Sequence, residues 1–508
     1  MIRPPVAVAL PAPADRTSEM VWPALVALAS VAAVAPLWSS ELLPFQDAPQ
    51  HLAVIRVLAD FHTPAFGFEK WFEIDLMRLQ YLGFYLPAAA LAKLLGPDVA
   101  CRIVLSLIAL ALPASMWMLL GAFGRDRRLA VFTPAVFHSA PLYMGFFNFL
   151  ESVPAAIAVV ALTERQLREP TSRRAALLAA GAALLLWLHP SALAFAMAAA
   201  VVLALTSGLP TRDVRRALTA FLPAAALFAA WAVQAALSRD GVGTAARTSF
   251  GWLPLRVRAL DLVRFGHVLA GRIDEIFLLA LATAFAAVAL LGRRERCHRA
   301  WRLPLLAALT LIAYFAAPFD VGYMSWIGHR AIPFAVLLII ASPLLAPGRA
   351  TSALCAAVVL LQLGYAVKLA GAYRAFDREA QVGELDHVLS AAAPGKSLVA
   401  QMWHQESEVV QFRPYMHFGA YYEARRGGRA LFNFAETPWP PVRFRRGTEP
   451  RSMPRSWEWH PEWLNSALTA ADPEYLLVRG PAAFPAPGFR LRASAGRWSL
   501  YGRERLRE

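Results

Sequence analysis

The feature that most constrains this chain is a succession of apolar runs rich in Ala, Leu, Val, Phe and Trp, most of them close to the length of a membrane crossing. About 20 mostly apolar residues cross about 30 Å of hydrocarbon. Within the 508 residues such runs are read at Val21–Trp38, Val99–Phe123, Leu129–Phe146, Ser152–Leu162 with its flanks, Ala175–Leu188, Ser191–Leu205, Leu218–Ala236, Ile276–Leu291, Leu303–Ala317, Ala331–Leu345 and Ser352–Ala370. The expected fold class is an α-helical polytopic membrane protein of about 11 spans, with a small C-terminal α/β domain outside the cytoplasm. Its parts are a tail (1–20), a transmembrane domain (21–371) with an outer loop at 39–98, and a soluble domain (372–508). The Pro- and Ala-rich start carries Arg3 and Arg16 but lacks a cleavage site, so the first run reads as a retained helix.

The formal charge is +15. In a soluble chain that would suggest nucleic acid. Here the basic clusters adjoin apolar runs, as in Arg125, Arg127 and Arg128, or Arg293, Arg294 and Arg296. The excess therefore reads mainly as cytoplasmic loops. The segment Tyr81–Leu95 decides the orientation. Its apolar run is short for a span and is read as interfacial or re-entrant. The clusters at Arg125–Arg128, Arg165–Arg174, Arg212–Arg216 and Arg293–Arg302 then fall inside. The loops holding Asp47, Asn148–Glu151, His189–Pro190 and Asp320–Arg330 fall outside, with the C-terminal domain. Segment 238–275 is also outside and is expected to include an amphipathic helix near Leu255–Leu269.

After about Tyr373 the apolar runs stop and Pro, Gly and charges rise. Helices are expected at Phe376–Ala392, Tyr415–Arg425 and Trp463–Ala470. Strands are expected at Ser397–Met402, Ala430–Ala435 and Tyr475–Arg479, with a hairpin of Phe489–Ala493 and Trp498–Arg503 around Gly496. The Pro-, Trp- and Arg-rich stretch Thr437–Pro461 reads as a surface loop. Cys101, Cys297 and Cys355 all precede this domain, so no disulfide framework is expected in it.

Asp47 and His51 share a helix face at i, i+4. They could act as base and orienter, or as two ligands of a divalent metal such as Mg or Mn. The same stretch also fits a capping box, with Asp47 as N-cap and Gln50 reaching back. Asn148 and Glu151 lie at an expected turn, as does His189. Asp320, Tyr323, His329 and Arg330 form a polar mouth, where Arg330 suits either a phosphate or an interfacial anchor. Arg413 and His417 belong to a polar cluster that could line an acceptor cleft. No P-loop and no dinucleotide-binding glycine pattern is present, which argues against nucleotide-driven pumping and nucleotide-sugar use.

A first run, an acidic outer loop (Gln46-Asp47-Ala48-Pro49-Gln50-His51), a second polar site at Asn148 and Glu151, many spans and an outer C-terminal domain together resemble the GT-C class of membrane glycosyltransferases. The resemblance implies a sugar donor on polyprenyl phosphate or pyrophosphate, used at the outer face of a bacterial inner membrane. It implies a glycan, lipid or protein acceptor, membrane lipid as surroundings and no nucleic acid. Asp47 would be the base or acceptor-positioning carboxylate, Glu151 a second polar group, and His329 and Arg330 the holders of donor phosphate. Asp47 is followed by Ala48 rather than a second acid, which leaves metal dependence open. The rival readings are a transporter or flippase of a lipid-linked glycan, and a non-catalytic envelope assembly protein.

Overall fold

In the computed structural model the described residues are 16–78, 80–237, 250–264, 271–292, 299–321, 324–345, 348–450, 457–463, 468, 472–480 and 488–504. Among them, six helices are long and apolar enough to cross a membrane: Val21–Trp38, Pro97–Ala122, Phe147–Arg168, Thr211–Gln234, Arg272–Leu291 and Arg349–Ala380. Four apolar helices are shorter: Leu82–Leu95, Pro190–Leu205, Arg302–Ala316 and Gly328–Ala341. At 1.5 Å per residue, the 14 residues of Leu82–Leu95 reach only about 21 Å.

The helices used below are α1 (Arg16–Val34), α2 (Ala48–Asp60), α3 (Leu82–Leu95), α4 (Pro97–Ala122), α5 (Phe147–Arg168), α6 (Ser172–Leu188), α7 (Pro190–Leu205), α8 (Leu255–Arg264), α9 (Arg349–Ala380) and α10 (Ala420–Arg426). Polar contacts sort the bundle into two ends. At one end Arg128 lies over Trp22 and donates to Ser352 Oγ at 2.7 Å. There Arg125 donates to Ala300 O, and Arg302 reaches both Glu164 and Leu203 O. At the other end Arg102 donates to Leu37 O and Glu41 O, and Asp377 accepts from the Glu41 and Leu42 amides. Asp47, Gly145 and His189 belong to this second end.

One expected span is not a continuous helix. Leu129–Phe146 is built from three short helical turns, Arg127–Phe132, Pro134–Phe137 and Ala140–Met144. Pro134 and Pro141 each remove a backbone donor and restart the chain, and Gly145 ends the last turn at φ +90°. The segment still runs from the Arg128 end to the Asp47 end. Broken backbone at such a depth is tolerated only when wrapped in protein. Nearly all of Leu129–Met144 is buried, Gln362 caps Val131 O, and His138 donates to Ala33 O at 2.8 Å. Apolar composition reports this burial faithfully but not the backbone conformation. Asn148 and Glu151 are likewise corrected: they sit in the first turns of α5, not in a connecting turn.

The strands are β1 (Phe72–Ile74), β2 (Phe250–Gly251), β3 (Asp320–Val321), β4 (Ser397–Met402), β5 (Arg429–Leu431), β6 (Val442–Phe444), β7 (Tyr475–Arg479), β8 (Phe489–Ala495) and β9 (Trp498–Arg503). A five-stranded sheet has the order β5-β4-β7-β9-β8, with β4 parallel to both neighbours and β8–β9 an antiparallel hairpin. The bounds of β4 and β7 match those read from the alternating apolar residues. The expected helix Phe376–Ala392 is divided: α9 runs on to Ala380, and Gln381 at φ 54° breaks the chain before Val382–Ser390. The expected strand Ala430–Ala435 is only β5 followed by a capped turn at Asn433. The expected helix Trp463–Ala470 falls largely outside the described residues.

The outer loop and the C-terminal sheet are knitted together. β1 pairs with β6, Arg56 donates to Ala424 O at 2.9 Å, and Gly428 N donates to Phe66 O at 2.7 Å. Glu423 on α10 lies beneath this seam. Its Oε2 accepts from Ala430 N and Asn433 Nδ2 at 2.9 and 2.6 Å, and burial pushes its carboxyl up to about 8. A raised carboxyl favours the fold fully below its ordinary 4.5 and progressively less as pH climbs through about 8. Thermal melting of the wild type should therefore fall over that window by the equivalent of a few kcal/mol. Glu423→Gln, which keeps the acceptor oxygen and cannot ionise, should flatten the slope. An unchanged slope would remove Glu423 as its cause.

Candidate active site

Asp47 occupies the N-cap position of α2, but its side chain makes no capping hydrogen bond. Gln50 does not reach back either: it donates to Phe432 O at 2.7 Å and accepts from Phe434 N at 3.1 Å. The capping-box reading is thus replaced by a tertiary arrangement. Gln50 staples α2 to the segment after β5, and the Asp47 carboxylate is left for another task. His417 Nε2 stands 3.3 Å from Asp47 Oδ1, with side chains only 5% and 15% exposed. The His417 ring stacks on Phe432 at 5.2 Å.

His51, the i, i+4 partner of Asp47, is locked in place. Its Nε2 donates to Gly145 O at 2.6 Å, so Nδ1 is the acceptor and takes the Tyr85 hydroxyl at 2.8 Å. Phe147 stacks on the ring at 4.5 Å, and Phe84 and Phe434 meet it edge-on. Burial holds its pKa down at about 4, so it is neutral. With both nitrogens spent and Asp47 turned to His417, the pair does not fit a two-ligand metal site. His51 instead fixes the Gly145 corner against Asp47.

That corner needs glycine. Gly145 has φ +90°, and a Cβ there would lie 2.5 Å from Asp47 Cβ. Gly145→Ala should cost about 1–2 kcal/mol in backbone strain alone. It should also displace Asp47, and a misplacement of about 1 Å can cost on the order of 10²-fold in rate. Melting temperature and turnover measured on the same preparation would check both; normal values for each would show that the corner does not position Asp47.

A second group of candidates surrounds the start of α3. Asn148 lies within hydrogen-bonding reach of the Tyr85 hydroxyl. Asn148 Oδ1 and Glu151 Oε2 are buried with no partner among the described residues. His189 caps α7 by accepting from Ser191 N, and it stacks on Tyr81 at 5.3 Å. Tyr81 itself sits at φ 71°, a strained conformation for a bulky residue. Arg330 lies over the Phe146 ring at 5.7 Å, within electrostatic reach of Tyr81 and His189. No carboxylate among the described residues is within 4.0 Å of it.

The other candidates are placed elsewhere. His329 Nε2 meets Asp261 Oδ2 at 3.0 Å and so anchors amphipathic α8. Asp320 accepts from Ser325 Oγ at 2.6 Å and belongs to β3, paired with β2. Tyr323 lies outside the described residues. Arg413 pairs with Glu406 at 3.2 Å, donates to Gln405, and covers Trp459.

Sequence reasoning missed Glu458. It lines a cleft together with His417, Gln50, Gln405, Met416 and Phe432. Its Oε2 is buried without a partner among the described residues, and burial pushes its carboxyl up, within electrostatic range of His417 and Asp47. The available signal was an acid flanked by tryptophans, Trp457-Glu458-Trp459, inside a stretch read as surface loop.

No family model matches the sequence, and no curated protein sequence does either. The fold is similar to a cryo-EM structure of the arabinofuranosyltransferase AftD from Mycobacteria, in a mutant form, with a TM-score of 0.51 and 17% sequence identity. The match covers 94% of this chain and 41% of that one, so the chain spans about two fifths of the AftD length. The likeness is one of fold, and it extends over almost all of this chain.

Proposed function

We propose that this chain is a membrane glycosyltransferase of the GT-C type, taking a sugar from a polyprenyl-phosphate or pyrophosphate donor at the outer face of a bacterial inner membrane. The observation that carries the reading is the Asp47 carboxylate, free of capping duty and held beside His417 where α2 meets the C-terminal sheet. In the proposed reaction the acceptor hydroxyl oxygen attacks the anomeric carbon and its proton passes to Asp47. The bond between that carbon and the phosphate oxygen breaks, and the phosphate leaves with the electron pair. Arg330 neutralises the charge that grows on it. Asn148, Glu151 and His189 complete the polar surface near the donor.

The orientation rests on charge. Arg125, Arg128 and Arg302 gather at the end of the bundle opposite Asp47, and basic loops favour the cytoplasm. A transporter would carry its polar groups near mid-span; here Asp47, Asn148, His189 and Arg330 collect at one end. The test is transfer of radiolabelled sugar from a synthetic short-chain polyprenyl-phosphate arabinofuranose, or its hexose counterparts, to membrane glycans by the purified chain in lipid nanodiscs. Transfer that depends on Asp47 supports the reading. Absence of transfer across pentose and hexose donors would sink it.

A further inference from the structure

The cleft beside His417 sits at a particular place in the C-terminal sheet. It is lined by the ends of β4 and β5, through Gln401, Met402, Leu431 and Phe432. β4 lies between β5 and β7 and runs parallel to both. The chain leaves β4 for β5 on one side and later returns to β7 on the other. The cleft lies over the carboxyl ends of β4 and β5, and the carboxyl ends of parallel strands are where open α/β sheets bind ligands.

The chemistry of the lining narrows the ligand. Among the described residues that line it there is no lysine and no arginine, and His460, which also lines it, is engaged by Glu462 at 2.7 Å. Glu458 contributes a carboxyl, and Asp47 stands directly behind His417. Arg413, the nearby cation in sequence, is held by Glu406. Such a surface disfavours phosphate or carboxylate. His417 Nδ1 and Glu458 Oε2 are buried with no partner among the described residues, and buried polar atoms of this kind cost free energy until something bonds them. Phe432, Met402 and Met416 add apolar surface against which the C–H faces of a sugar ring can rest.

From this we infer that the cleft is the acceptor site and takes a neutral, hydroxyl-rich glycan, seated on His417 and Glu458 with one hydroxyl directed toward Asp47. This rests on the transferase reading and specifies its acceptor. It also divides the labour by charge: the anionic donor lies with Arg330, the uncharged acceptor with the carboxyls of the C-terminal sheet.

The test is saturation-transfer NMR on the full chain in nanodiscs, with four trisaccharide probes: a neutral arabinofuranoside, a neutral mannoside, an anionic uronate and a cationic aminosugar. At least one neutral probe should bind, and more tightly than the uronate. Glu458→Gln, close to isosteric, should weaken that binding about tenfold or more at an unchanged melting temperature. Arg330→Met, in the other group, should leave it within about twofold of wild type by the same additivity argument. The inference is overturned if no neutral probe binds at millimolar concentration, if the uronate or the aminosugar binds best, or if Glu458→Gln and His417→Ala both leave binding unchanged. Glycan binding without any sugar transfer would keep the cleft and sink the transferase reading. Transfer intact while binding ignores Glu458→Gln would sink the cleft alone.

Discussion

Asp47→Asn is expected to lower sugar transfer by about 10²- to 10⁴-fold, the usual worth of a general base. The change is close to isosteric and removes only the charge and the proton-accepting capacity. Because the Asp47 side chain makes no capping hydrogen bond, helix α2 loses no cap and the melting temperature should hold. Asn also keeps a carbonyl oxygen toward His417 Nε2, so the stacking of that ring on Phe432 should survive. The expected signature is a fall in kcat with little movement in KM for the donor. Turnover within threefold of wild type, on protein of normal stability, would remove Asp47 from the chemistry. It would leave the assembly-protein reading as the better account of this loop.

Arg330→Met is expected to separate activity from stability in opposite directions. The guanidinium lies at the site end of the bundle with Phe146 beneath it and no carboxylate within 4.0 Å among the described residues. Its contact with the Phe146 ring is worth about 0.5–1 kcal/mol. Arg330 is partly buried, and withdrawing even part of a guanidinium from water without an anion offsets that contact. Replacement by an apolar chain of similar reach should therefore hold or raise the melting temperature of the substrate-free protein. Transfer should fall on the order of 10²–10³-fold, as when a donor to developing negative charge is removed. A fall in stability with unchanged transfer would make Arg330 a structural anchor and take the phosphate role from it.

How much of this could be read from the chain alone differs from element to element. Strands β4 and β7 and the final hairpin are local patterns, and the structure places them close to where periodicity and turn residues put them; of the expected spans, six long and four shorter apolar helices stand among the described residues. The Leu129–Phe146 segment was legible as buried but not as broken, because an apolar run carries burial and says little about backbone conformation. Asp47 stood out because an acid in a short polar motif beside a membrane run is unusual. What it does there was not legible. The capping motif is a local pattern, and two long-range contacts, Gln50 to Phe432 and Asp47 to His417, prevail over it.

The sequence by itself determined which residues must leave water, where strands and helices start, and that polar groups such as Asp47, Glu151 and Arg330 need a reason to be where they are. Only the tertiary structure decided who meets whom. His51 was drawn into the aromatic packing under Gly145, His329 into the anchoring of α8, and His417 and Glu458 came from the far end of the chain to the side of Asp47. The physical reason is that secondary structure follows from interactions a few residues apart. A site follows from which surfaces pack, and here packing α2 against the C-terminal sheet brought together groups that no local pattern connects.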